Sequence, residues 1–125
     1  MLPVVVAITG ASGAPYGVRL LEVLCRARMP VWLVVSSHGW RLLKQESGIA
    51  DEPALRAATG DDWSTVTCFS DADRGARPAS GSVRTTGMVI CPCSMGTVSA
   101  IAAGSSRSLV ERAADTLENA LLNNI

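Results

Sequence analysis

The stretch that decides the fold is VVVAITGASGAPYGVRL, residues 4–20. Val4 to Ile8 is a continuous apolar run of strand length and β-branched content, as suits a strand covered on both faces. It breaks into Thr9-Gly10-Ala11-Ser12-Gly13-Ala14-Pro15, a tight turn of small residues, and an amphipathic helix follows. Val18, Leu21 and Cys25 form one stripe of that helix, with Leu20 and Leu24 beside it. Strand, small-residue turn and helix N-terminus in succession aim free amides and the helix dipole at one point, an arrangement that holds a phosphate. Glycines let a ligand approach the backbone closely, and Ser12 adds a hydroxyl. A tight βα turn without a ligand fits the same residues, and the turn alone leaves both readings open.

Working outward, Met29-Pro30 stops the helix and Val31 to Val35 reads as a second strand, completing a parallel βαβ unit. This strand ends at Ser36-Ser37-His38-Gly39, and a helix is expected over residues 40–46 with Trp40, Leu43 and the stem of Lys44 on one side. A dinucleotide site wants an acidic residue about 20 residues after its glycines. Serines stand there instead, and Gly10, Gly13 and Gly17 give GxxGxxxG rather than GxGxxG. That pattern disfavours NAD and leaves room for a mononucleotide.

Residues 47–63 are polar, with a short helix expected near 53–58, and Thr65 to Phe69 reads as a third strand. Residues 71–82 (DADRGARPASGS) form a loop by composition, and loops of this length in a compact domain are usually functional or mobile. Met88 to Cys91 is a fourth buried strand, ended by Pro92. A second strand-to-helix junction, Cys93 to Thr97, then leads into a helix over 98–103. Ser94 is a natural N-cap and Thr97 lies one turn on, so both hydroxyls can reach one ligand. Two such junctions at the carboxyl ends of parallel strands make a nucleotide crevice, although Ser94 serves equally as a cap alone. Gly104 to Ser108 is a turn and Leu109 to Leu122 the last helix, where Arg112 has Glu111 and Asp115 within helical reach as salt-bridge partners.

A chain of 125 residues supports one domain and one core. Hydrophobic content of 48% with 18% charged residues argues against disorder. Net charge is zero and the Lys and Arg residues are scattered, which gives no electrostatic footprint for nucleic acid. No apolar run has membrane-spanning length, and the first apolar segment lacks a basic n-region, so a cytoplasmic location is expected. Cysteines at 25, 68, 91 and 93 are too few and too oddly spaced for a disulfide framework. With His38 the only histidine, a zinc site would be short of ligands; no metal is expected, and the thiols read as small buried apolar groups.

Taken in order, TGASGAPYGVRLLEVL, VVSS, ASGSVRTTGMVICPCSMGTVSAIAAG and LVERAAD resemble the UbiX-type flavin prenyltransferases, within the wider family of homo-oligomeric flavin-containing decarboxylase-like flavoproteins. The likeness covers nearly the whole chain to about Leu117. The cysteine-decarboxylase branch carries a PASANT motif where this chain reads Pro92-Cys93-Ser94-Met95-Gly96-Thr97, which favours the UbiX branch over a peptidyl-cysteine decarboxylase.

The resemblance implies an α/β fold, a Rossmann-like three-layer α/β/α domain with a parallel sheet, assembled as a homo-oligomer, a dodecamer in the family. It implies transfer of the dimethylallyl group of dimethylallyl phosphate to reduced FMN, the product serving a UbiD-type decarboxylase, with no metal. By position, Gly10, Ala11, Ser12 and Ser36 line the flavin, and Ser94, Thr97 and Arg112 hold its ribityl-phosphate or ring edge. Ser12 and Glu46 are the proton-moving pair. The alternative is an FMN-binding module, or an inactive or partial subunit of an aromatic-acid decarboxylase system, without transferase activity.

Two departures stand out. Where relatives often carry an aromatic in the loop before ASGS, this chain has Arg74, suited to a substrate phosphate but offering no π-face. Relatives also continue past RAAD into a lysine-containing turn, a strand with an Arg-Glu segment and a further helix, whereas here RAADTL runs straight into ENALL. The expectation is one flavoprotein domain over 1–125, incomplete at its C-terminal side and interrupted near 116–118.

Overall fold

The computed structural model describes residues 1–123. Strand β1 (Val4–Ile8) leads into helix α1 (Ala14–Arg26), and β2 (Val31–Val35) into α2 (Ser37–Ser47) and α3 (Glu52–Ala58). Strand β3 (Val66–Ser70) is followed by a loop with one 3-10 turn (Arg77–Ala79). Then come β4 (Gly87–Ile90), α4 (Met95–Ala102) and α5 (Leu109–Asn123). All strand pairings are parallel, in the order β3-β2-β1-β4.

Why β1 and β2 read as unbroken apolar runs is now plain: every residue of both is buried, because helices cover both faces. Val4, Val6, Ile8, Val31, Leu33 and Val35 face α1, α2 and α3, packing on Leu21, Cys25, Leu43 and Leu55. Ala7 and Val34 face the other way, onto Leu109 and Val110 of α5 and Ala76 of the loop. The outer strands are only half covered, and Val89 of β4 is 42% exposed.

Helix boundaries differ from the sequence expectation where caps extend them. Helix α2 begins at Ser37 rather than Trp40, because the Gly39 amide donates to Ser36 Oγ at 3.0 Å and closes the first turn. Gly39, a poor helix former, is tolerated inside because a Cβ there would run into the Ile8 carbonyl. Helix α4 likewise starts at Met95, directly after the Ser94 cap, rather than at Val98. Helix α5 runs unbroken through residues 116–118. The 71–82 loop is anchored through Asp71, whose carbonyl accepts from the Leu109 amide and whose Oδ1 accepts from that of Val110.

Candidate functional site: a cleft at the point where the strand order reverses

From β1 the chain moves outward to β2 and β3, then returns past β1 to place β4 on its other side. Beyond the carboxyl ends of β1 and β4 the loops therefore part, and ligands of open parallel sheets bind in such a crevice. Here a cleft of about 440 Å³ opens, lined by Thr9 and Gly10 after β1, Ser36, Ser37, His38 and Arg41 after β2, and Ser94, Gly96 and Thr97 after β4. Asp71, Arg107, Ser108, Val110 and Glu111 close its far wall. A second cleft of about 560 Å³ adjoins it, sharing Ser37, Asp71, Arg107 and Ser108 and floored by Trp40, Cys68 and Phe69.

Thr9 ties the two walls together. Its hydroxyl donates to the Pro92 carbonyl at 2.8 Å and accepts from the Ser94 amide at 2.9 Å, and it is almost wholly buried. Ser94 Oγ in turn accepts from the Thr97 amide at 3.1 Å and lies 2.9 Å from Thr97 Oγ1. Both hydroxyls thus stand together at the start of α4, and the first turn of α2 faces them from across the cleft. Two helix N-termini and two arginines, Arg41 and Arg107, bring donors to this space, where the carboxylates of Asp71 and Glu111 stand on the far wall.

The amides of the first turn of α1 are not free for a phosphate. Glu46, from the last turn of α2, accepts with Oε1 from the amides of Gly13 (3.0 Å) and Ala14 (2.8 Å), and with Oε2 from the Ser12 hydroxyl (2.9 Å). The role expected of an external anion at this turn is filled by the protein's own carboxylate. Those bonds, the Ala14 amide first, then Ser12 and Gly13, hold the Glu46 carboxyl below its ordinary value, so it is ionised at neutral pH. The close-approach role assigned to Gly10 also changes: its missing Cβ makes room for His38, not for a ligand.

The structure brings Gly10, Ser36, Ser94 and Thr97 into one cleft and pairs Ser12 with Glu46 two residues from Gly10, across Ala11. It leaves the other two residues outside. Arg112 is exposed on α5 and does not line the cleft; Glu111 pairs with Arg107 instead. Arg74 is exposed on the 71–82 loop and lines neither cleft. Thr9, Arg41 and Arg107 were missed. Only Arg107 left a signal, the Arg-to-Glu spacing of four residues in RSLVE.

All four cysteines are unpaired. Burial above all, with Glu52 beside it, pushes the Cys68 thiol up to about 12. Among the described residues no three His, Cys, Asp or Glu side chains form a metal-binding group, and no helix is long and apolar enough to cross a membrane.

The Flavoprotein family matches residues 1–121. Over 115 residues, 90% of the chain, it is 42% identical to a protein of Alkalihalophilus pseudofirmus named flavin prenyltransferase UbiX, and it covers 58% of that relative. Its fold superposes on AnUbiX (PadA1), solved in complex with FMN and dimethylallyl pyrophosphate, with a TM-score of 0.84 at 33% identity, covering 95% of this chain and 60% of the other. A dodecameric FMN-dependent UbiX-like decarboxylase of Escherichia coli O157:H7 gives 0.83 at 34% identity, covering 95% and 61%. The chain thus spans about three-fifths of the length of these proteins.

Proposed function

The chain belongs to the Flavoprotein family, and from that premise we propose that it is a flavin prenyltransferase, joining the dimethylallyl group of dimethylallyl phosphate to reduced FMN. The observation that carries this reading is the Ser12–Glu46 pair, an ionised carboxylate hydrogen-bonded to a hydroxyl beside a cleft with a phosphate-binding donor set. The residues fit FMN: Ser94, Thr97, the first turns of α2 and α4 and the two arginines suit its phosphate and ribityl hydroxyls. Bound reduced flavin supplies an electron-rich nucleophile for the allylic carbon.

The chain's own contribution is positioning and proton movement. With both reactants held in the cleft, the allylic C–O bond would break with its electron pair leaving on phosphate. Ser12 Oγ would take up the proton lost from the acceptor as it passes its own to Glu46 Oε2 along the 2.9 Å hydrogen bond. The Gly13 and Ala14 amides keep Glu46 charged between turnovers and fix its direction. Holding both reactants against one wall supplies most of the acceleration in such a transfer. Its product then serves a UbiD-type decarboxylase, and four unpaired cysteines accord with the reducing cytoplasm. The assembled form is a homo-oligomer.

Incubation with reduced FMN and dimethylallyl phosphate, followed by mass spectrometry of the released flavin, tests the reading: a gain of one prenyl group is the expected result. That Arg74 and Arg112 line neither cleft favours a second reading, an FMN-binding module without transferase activity. Flavin recovered bound but unmodified would decide for the module.

A further inference from the structure

We propose that Arg107 is the cleft's charged contact for a phosphate monoester, with Glu111 as the positioning residue that aims it; the inference rests on the flavin reading above. Arg107 stands in the turn before α5, on the edge shared by the two clefts. An exposed arginine paired with a glutamate four residues on is usually worth little. This pair differs in that Glu111 is buried, at 8% exposure, so its carboxylate is a fixed anchor. Glu111 Oε1 accepts from Arg107 Nε at 3.2 Å and from the Arg107 amide at 3.1 Å, while Oε2 accepts from Nη2 at 3.2 Å. The Ser108 hydroxyl holds the Glu111 amide at 3.3 Å.

A guanidinium carries five N–H donors in a rigid plane, and this side-on grip uses two of them. The outer edge keeps the rest. Among the described residues the ion pair of Arg107 is with Glu111 on the inner side, and Asp71 Oδ1 is engaged by the Val110 amide. Ser94, Gly96 and Thr97 line the same cleft, so a phosphate lodged there meets hydroxyl and amide donors and the outer edge of Arg107. Two oxygens of a phosphate match two parallel N–H bonds of a guanidinium, which lysine cannot reproduce. Flavin and allylic substrate both carry a phosphate monoester, and the experiment separates them.

Wild type and Arg107→Gln are titrated with FMN and with riboflavin, followed by flavin fluorescence, and the FMN-loaded proteins are titrated with dimethylallyl phosphate by calorimetry. The expected result is a loss of about ten- to a hundredfold in FMN affinity with riboflavin affinity unchanged, which assigns the flavin phosphate. Unchanged FMN affinity with an equal loss for dimethylallyl phosphate assigns the substrate phosphate. If neither changes, the inference is overturned while the flavin reading stands. If wild type binds neither flavin, that reading fails, and inorganic phosphate followed by 31P NMR decides: binding lost in Arg107→Gln supports the site, and equal or absent binding overturns it. Glu111→Gln is expected to reduce the preference for FMN over riboflavin and leave riboflavin affinity intact. A fall in both together would make Glu111 merely structural and remove its positioning role.

Discussion

Thr9 sits at the carboxyl end of β1 almost out of solvent, donating one hydrogen bond and accepting another across the cleft. Valine keeps its shape but leaves the Pro92 carbonyl with one bond fewer and the Ser94 amide unpaired. Thr9→Val is therefore expected to lower stability by about 1–3 kcal/mol in urea denaturation, and to weaken flavin binding because Ser94 loses its tether. Glu46 carries a different signature. Its folded carboxyl titrates below its ordinary value of 4.5, so the stability it contributes is complete above that value and disappears as pH falls through the depressed one. Glu46→Gln should have a lower Tm than wild type at neutral pH, with a gap that stays constant down to about pH 5 and closes on further acidification. Prenyl transfer by the same variant is expected to slow by about 10²–10⁴-fold. A gap unchanged in acid would mean that the charge of Glu46 plays no part.

At the scale of elements, strand identity was plain in the sequence because β1 and β2 are covered on both faces and so lack polar residues. Helix starts were less plain. Ser94 reads as a natural N-cap and caps its helix in the fold, whereas Ser36 reads as a strand end and only the folded chain shows its side chain closing the first turn of α2. Glu46 was found through resemblance; on residue pattern alone it is a solvated helix end. Its contact with the α1 turn joins residues more than thirty positions apart, which no local pattern encodes. Arg112 and Arg107 illustrate the same point: both lie near the start of α5, and the folded turn decides which one faces the cleft. Helix α1 is held chiefly by Leu21 and Cys25 against the sheet. Leu21, fully buried, should cost about 2–5 kcal/mol when cut to alanine, read as a lower denaturation midpoint with an unchanged slope.

For the molecule as a whole, large apolar side chains are exposed at several places, Val23, Val83 and Val89 among them. Met95 is 80% exposed, Tyr16 75% and Val98 45%, all near the start of α1 or along α4. Such exposed apolar side chains suit a surface for association, in keeping with the homo-oligomer proposed above. Met95→Glu combined with Val98→Glu is expected to reduce the sedimenting mass and leave the far-ultraviolet circular dichroism unchanged. An unchanged mass would place the contact elsewhere. The zero net charge adds no long-range repulsion to oppose such assembly.

The unequal covering of the four strands has a mechanical consequence. β1 and β2, with α1 and α2, form a stiff block that carries Ser12 and Glu46, whereas Ser94 and Thr97 ride on the half-covered β4 and on α4. The cleft is therefore a seam between a rigid wall and a compliant one, pinned at its base by the Thr9 hydroxyl. Amide hydrogen exchange should be slowest in β1 and β2 and faster in β4 and the first turn of α4. A ligand that bridges the seam should slow exchange mainly on the compliant side, making the width of the mouth a property the ligand itself sets.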